Sequence, residues 1–488
     1  METQSSPVNR FCDLVMKGGV ASGVVYPLAI AELAKKYRFK NIGGTSVGAI
    51  AAAVTAAAEY RRRTDGDMTG FDRLAALSDE LGQTAPSGGH KRRLLTLFQP
   101  HPSTRRLFAV LVHALNRETT LTRTAAIIWG FIRAYWPAVL ASVLLSVLIW
   151  LGAGMLAALL FCLIAVVVSV AFWVYRDITE DVVGNDYGLC TGMGVDQDGQ
   201  EALTPWLHGL IQDAAGRGSH DAPLTFGDLW NARGFPPDWY AQPTEGMDKS
   251  INLEMFTTNL SFGRPYILPF KEDKIQLLYK KGELEKYLPE SVMTWIGKYS
   301  EPYRPHENNG PDLELLKLPD PENFPVLLAA RMSMGFPLLF SAIPLWISNE
   351  NYSTPRRCLF SDGGISSNFP IHLFDGLIPS WPTFGISLES RLPEDQAEVY
   401  LPQKYDEGYG ERWNGFDQKK NSASRFGGFL LAIISTMQDW NDATLARMPG
   451  RARPCRQGAI GRGRRRLESQ HGRKIDLSDL EARQEVSR

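Results

Sequence analysis

Three short glycine-bearing stretches hold groups able to react in concert: KGGVASG from Lys17 to Gly23, GTSVG from Gly44 to Gly48, and SDGG from Ser361 to Gly364. A serine between glycines at a strand-to-helix turn is forced into a sharp elbow that only small neighbours permit. Ser46 would then project beside the first turn of the following helix, where free N–H groups and the positive dipole end favour developing negative charge. That is a setting for a nucleophile, and by itself it is equally a tight turn with a serine cap. Asp362, ahead of Gly363 and Gly364, reads as a carboxylate held at a strand end by a backbone that only glycine allows. Alone, DGG is a turn; with a serine elbow in the same chain, Asp362 becomes a candidate general base.

KGGVASG does not bind a nucleotide by any known fingerprint. Gly18 and Gly23 have Walker A separation, but Val24 and Val25 stand where Lys and Ser or Thr are needed. Val20 occupies the place of the second glycine in a dinucleotide-binding turn. What remains is a nest of backbone N–H groups ahead of a helix, which suits one developing oxyanion, or else a plain strand-to-helix turn.

The elements that must hold these stretches follow from periodicity. Phe11–Met16 is a short apolar run that reads as a buried strand, and VVYPLAIAELAKKY after the glycine loop has helical spacing. Phe39 to Ile42 starts a second strand, and the elbow opens a second helix rich in alanine. Strands alternating with helices predict an α/β fold with a mostly parallel sheet, whose sites form at the carboxyl ends of the strands. Farther on, SINLEMFTTNLSFGRPYILPF reads as two strands with a turn at Phe262 to Arg264, either a substrate-facing wall or an edge hairpin.

The 488 residues, 44% of them hydrophobic, suffice for one large domain with insertions, or two. A net charge of -1 offers no global field for nucleic acid. The five cysteines are scattered without a C-x-x-C pair, which suits a reducing compartment, and no metal-ligand or cofactor motif is present. His90, His101 and His113 have no second ligand at metal spacing and read as surface or cap residues. The opening METQSSPVNRFCDLVMK is unlike a secretory signal.

The second strong signal is an uncharged stretch from Ala134 to Tyr175, dense in Leu, Val, Ala and Ile, with glycines at 152 and 154. About 20 apolar residues cross a bilayer as a helix, so this length fits two crossings joined by a glycine turn. Trp136, Trp150, Trp173 and Tyr175 lie near the ends, as aromatic belts do, and Arg133 and Arg176 bracket the pair. The positive-inside rule puts both flanks, and the catalytic part, on the cytoplasmic side. A buried helical pair in a soluble core is the alternative.

Taken together, the KGGVASG loop, GTSVG, the segment RMSMGFP from Arg331, and SDGG occur in the order found in patatin-like phospholipases, which the chain resembles over about residues 9–60 and 326–388; Asn368 and Pro370 also fit. The resemblance implies a three-layer α/β fold and a Ser-Asp dyad, with Ser46 as nucleophile and Asp362 as base. Its oxyanion donors would be backbone N–H groups near Gly18, Gly19 and Val20, and Gly44, Gly48, Gly363 and Gly364 would support the motifs. The reaction would be hydrolysis of the acyl esters of membrane phospholipid, of phospholipase A or lysophospholipase type, without metal or cofactor. The chain departs from the family at the oxyanion loop, where Lys17 takes the first glycine place and the spacing to Gly23 is one residue longer. It also departs in the membrane insertion. Two other readings stand beside this one: a Ser-Asp-His esterase using His372, and a catalytically silent membrane scaffold.

The expected organisation is a first catalytic part over 8–125, the two-pass hairpin over 126–176 and a second catalytic part over 177–447. A basic tail over 448–488 is expected to lack structure.

Overall fold

The computed structural model describes residues 10–19, 25–83, 93–115, 120–196, 199–235, 249–270, 275–304, 314–348, 354–374 and 380–389, together with 399–400, 425, 429, 432 and 456–461. The chain opens with strand β1, Phe11–Met16, buried at every position, and helix α1, Tyr26–Ala34. Strand β2, Arg38–Gly44, leads through Ser46 into helix α2, Val47–Thr64. The small side chains that dominate its first three turns let α2 lie close on the sheet: Ala49, Ala52, Ala53, Ala56 and Ala57 are fully buried. The far end of α2 is fastened by Arg63, whose guanidinium pairs with Glu59 at 2.7 Å and donates to the carbonyls of Phe39 and Ser250. Helix α3, Thr69–Gly82, packs across α1 and α2.

After the membrane-type insertion come β3, Gly188–Cys190, and β4, Asn252–Asn259. Then follow β5, Arg264–Leu268, β6, Gln276–Lys280, and β7, Leu315–Lys317. The last group is β8, Leu338–Phe340, β9, Ile343–Ser348, β10, Arg356–Asp362, β11, Thr383–Glu389, β12, Val399–Tyr400, and β13, Arg456–Gly461. The main sheet runs β12-β13-β11-β1-β2-β4-β10-β9-β6-β7, with β5 added to β4, while β3 and β8 form a separate pair. Its centre, from β13 through β4, is parallel, and the strands beyond β4 are antiparallel. Cys12, Leu14 and Met16 of β1 face the helical layer, whereas Val15 faces Phe369 and Ile371. This is the mixed α/β architecture the strand–helix alternation predicts.

Two expectations change. The hairpin β4–β5 forms, but β4 is an interior strand buried from its second residue on, neither a wall nor an edge, because both of its edges are occupied. The tail expected to be unstructured contributes β13, which pairs in parallel with β11; its remaining residues lie outside those described.

The uncharged stretch forms two helices, Trp136–Ala153 and Met155–Arg176, joined at Gly154, whose φ of 87° is the left-handed value glycine permits. The two pack on one another and are otherwise exposed: only 11% and 6% of their most apolar windows are buried, at mean hydropathies of 2.0 and 2.9. A helix apolar on all sides needs a partner on all sides. Among the described residues the soluble-core alternative supplies none, and both helices are long and apolar enough to cross a bilayer. At their base the Tyr135 hydroxyl donates to Asp177 at 2.8 Å, joining the two legs.

Candidate active site

Strand register brings the two motifs together. On β4, Met255 pairs with Gly44 of β2 and with Leu268 of β5, and Thr257 pairs with Asp362 of β10 and Tyr266 of β5. A strand has two edges, and β5 holds one of them at both Met255 and Thr257, so β2 and β10 share the other. They run towards each other along it, and the carboxyl end of β2 meets the carboxyl end of β10 beside Phe256.

At that junction the Ser46 hydroxyl donates to Asp362 Oδ2 at 2.8 Å, and both side chains are buried. Ser46 sits at φ 56° and ψ -128°, a conformation that costs a non-glycine residue about 1–3 kcal/mol and that the surrounding backbone must hold. Gly44 and Gly48 make this turn possible. A Cβ at Gly44 would lie 2.4 Å from the Gly48 carbonyl oxygen, and one at Gly48 would lie 2.4 Å from the Met16 carbonyl oxygen. Helix propensity favours Gly48→Ala by about 1 kcal/mol, but the obstacle is backbone of β1, and overpacking of this kind costs about 1–3 kcal/mol or more. We therefore expect Gly48→Ala to lower the thermal unfolding midpoint; a midpoint at or above that of the wild type would mean that the elbow is not tightly packed on β1.

Asp362 is fixed on all sides. Its Oδ1 accepts the Gly364 N–H at 2.8 Å, its own N–H donates to the Gly335 carbonyl at 3.2 Å, and its carbonyl accepts from the Thr258 hydroxyl at 2.9 Å. Gly363 lets this chain pass β4, since a Cβ there would lie 2.1 Å from the Phe256 carbonyl oxygen. Burial raises the carboxyl from its ordinary 3.8 to about 6, against the opposing effects of the Ser46 and backbone hydrogen bonds and of the Arg331 charge. A carboxylate of this basicity, bonded directly to a hydroxyl, can accept its proton at neutral pH.

The glycine loop departs from expectation. Gly18 approaches Ser46 closely, but its N–H donates to the Asn368 carbonyl at 2.8 Å, so it is not an oxyanion donor in this arrangement: one N–H points one way. The same Asn368 carbonyl accepts from the Thr45 hydroxyl at 2.9 Å and so ties the loop to the elbow. Gly19 follows at φ 152°, and Val20 lies outside the described residues. His372 lies beside Phe256, and no imidazole stands between Ser46 and Asp362, which touch directly.

Sequence patterns missed two parts of the site. The first is an apolar cavity that begins at Ser46 and runs between the Val47, Ile50 and Val54 face of α2 and the Leu74, Leu77 and Leu81 face of α3. Leu97, Phe98, Met334 and Phe340 also line it, and all but Ser46 carry hydrophobic side chains. The i, i+3, i+7 stripe on each helix is visible in the sequence, but such a stripe reads as ordinary core unless a gap between the two is known. The second is Arg331. It is wholly buried and donates to the carbonyls of Met334, Thr191 and Ser341, each at 3.1 Å.

With this geometry in view, the model of the patatin-like phospholipase family matches residues 14–127. The RpoH suppressor of Rhizobium meliloti (strain 1021) is 36% identical over an alignment 506 positions long, covering 90% of this chain and 76% of its own. The chain belongs to the patatin-like phospholipase family, and with it to the lipid hydrolases in general.

Proposed function

We propose that the protein is a membrane-anchored lipid acyl hydrolase, of phospholipase A or lysophospholipase type, that works through a Ser46–Asp362 dyad. The observation that carries this reading is the 2.8 Å hydrogen bond between the two side chains at the head of an apolar cavity. Asp362 Oδ2 takes the proton as Ser46 Oγ attacks the ester carbonyl. The family resemblance assigns the tetrahedral oxyanion to backbone N–H groups of the glycine loop, near Gly19 and Val20. Collapse passes the proton from Asp362 to the departing alcohol and leaves the acyl chain on Ser46, lying in the cavity. Water, deprotonated in turn by Asp362, releases the fatty acid.

The hairpin keeps the site beside its substrate and raises its effective concentration. Ser46 precedes the hairpin and Asp362 follows it, so a shared site requires both flanks on one side of the bilayer. The flanking arginines assign that side to the cytoplasm. The proposed division remains a catalytic unit over 8–125 and 177–447, interrupted by the hairpin over 126–176.

The test is fatty-acid release from phospholipid vesicles carrying the full-length protein, measured against pH. The base must be ionised, and its carboxyl titrates at about 6, so kcat/KM should be flat above that value and fall about tenfold per pH unit below it. Absence of release at any pH would favour the silent scaffold.

A further inference from the structure

One wall of the cavity is a strap that joins helix Val326–Ser333 to β9. Met334, Leu339 and Phe340 of this strap face inward and line the cavity. Phe336, which also lines it, is 46% exposed, and Leu338 is 67% exposed. Leu338 has φ 66°, a left-handed conformation unfavourable for a branched apolar residue, and it turns the side chain out of the protein.

The second leg of the hairpin is fastened to this strap. The second hairpin helix continues through Asp177–Val182 into β3, whose Gly188 pairs with Leu338 and whose Cys190 pairs with Phe340. Gly188 allows that pairing because a Cβ there would lie 2.0 Å from the Ser341 nitrogen. From the chain well ahead of the hairpin, Phe98 meets the Phe340 ring at 5.5 Å, and the His101 N–H donates to the carbonyl of Leu189 in β3 at 2.9 Å. Ile178, Val183 and Tyr187, on the chain between the second hairpin helix and β3, are exposed as well.

We infer that the outer side of this strap, Phe336 and Leu338, is a second membrane contact, seated in the leaflet that the hairpin enters. It lays the cavity mouth on lipid, so that an acyl chain passes from the leaflet to Ser46 without crossing water. A strained, outward leucine beside an apolar cavity has no use in water, and the strap's tie through β3 to the end of a bare apolar helix names its partner as a lipid leaflet. The acyl transfer rests on the hydrolase reading; the membrane contact does not.

Two measurements on the full chain test it. The first uses Leu338→Cys in a background of Cys162→Ser and Cys455→Ser, labelled with an environment-sensitive dye in nanodiscs of phosphatidylcholine and phosphatidylglycerol. The dye should be quenched by lipids carrying a shallow nitroxide and shielded from iodide, while the same dye at exposed Glu201→Cys stays open to iodide. Equal iodide access at the two positions would overturn the contact. The second uses Leu338→Asn, which accepts the left-handed backbone and removes the apolar side chain. Hydrolysis of vesicle phospholipid should fall about tenfold, with hydrolysis of soluble p-nitrophenyl butyrate unchanged. An equal fall on both substrates, or on neither, would refute delivery from the leaflet. A wild type inactive on both would instead refute the hydrolase reading, and the dye would still decide the contact.

Discussion

Ser46→Ala is expected to abolish fatty-acid release, a loss on the order of 10⁴-fold or more, and Asp362→Asn to come close to it, with the double variant no worse than Ser46→Ala alone. Neither residue works without the other: the hydroxyl is a poor nucleophile unless its proton leaves along the 2.8 Å bond, and the carboxylate has no other reacting partner in the proposed scheme. The variants should part company in stability. The Asp362 carboxyl titrates at about 6 in the fold against an ordinary 3.8, so its contribution to stability is greatest below pH 3.8, declines as pH rises to about 6, and then stays lower by roughly 3 kcal/mol. An asparagine side chain at this position carries no charge to desolvate. Asp362→Asn should therefore unfold at a higher temperature than wild type at pH 8, with the gain fading towards pH 4, while Ser46→Ala shows no such gain. Chemical inactivation with stabilisation is the signature of a strained functional carboxylate; inactivation with a lower unfolding temperature at pH 8 would mark Asp362 as a structural residue instead.

Arg331→Met should have the second largest effect. The guanidinium is wholly buried, has no carboxylate within ion-pair distance among the described residues, and is held by three carbonyls and the Phe340 ring. Burial pushes it down to about 10. Methionine fills the volume but leaves the Met334, Thr191 and Ser341 carbonyls unpaired, and removing one partner of such a buried charged contact costs about 3–5 kcal/mol. A second consequence is electrostatic. The Arg331 charge helps hold Asp362 down, so its removal should shift the acid limb of activity to higher pH. Arg331→Lys keeps the charge and loses the fork of donors, so it should be destabilised with its acid limb in place. Coincident limbs in the methionine and lysine variants would remove Arg331 from the electrostatics of the site.

How much of this is legible in the sequence depends on how local the cause is. β1 matches the apolar run Phe11–Met16 residue for residue, the hairpin turns at Gly154 in the middle of its uncharged stretch, and Ser46 takes the strained φ that its flanking glycines permit. Each is decided within one or two turns of chain. The meeting of β2 and β10 end to end along β4 is decided by long-range pairing, and no periodicity reports it. The aromatic and proline content of this stretch is why the sequence suggests a wall or an edge; in the fold Thr257 and Thr258 of β4 are buried and donate their hydroxyls to the carbonyls of Ser361 and Asp362. Arg331 stands in plain view in RMSMGFP, but nothing in that segment reveals that three carbonyls enclose it. The loop at Gly18 shows the same limit in reverse: its composition fits an oxyanion nest, and the partner that takes the Gly18 N–H is Asn368, far along the chain.

Whether Asp362 activates Ser46 is decided by labelling the full-length protein in bilayers with a fluorophosphonate and locating the adduct by peptide mass spectrometry. A single adduct on Ser46 is expected at neutral pH, absent in Ser46→Ala and strongly slowed in Asp362→Asn. A folded wild-type protein that takes no label at Ser46, or an Asp362→Asn variant that labels as fast as wild type, would contradict the dyad.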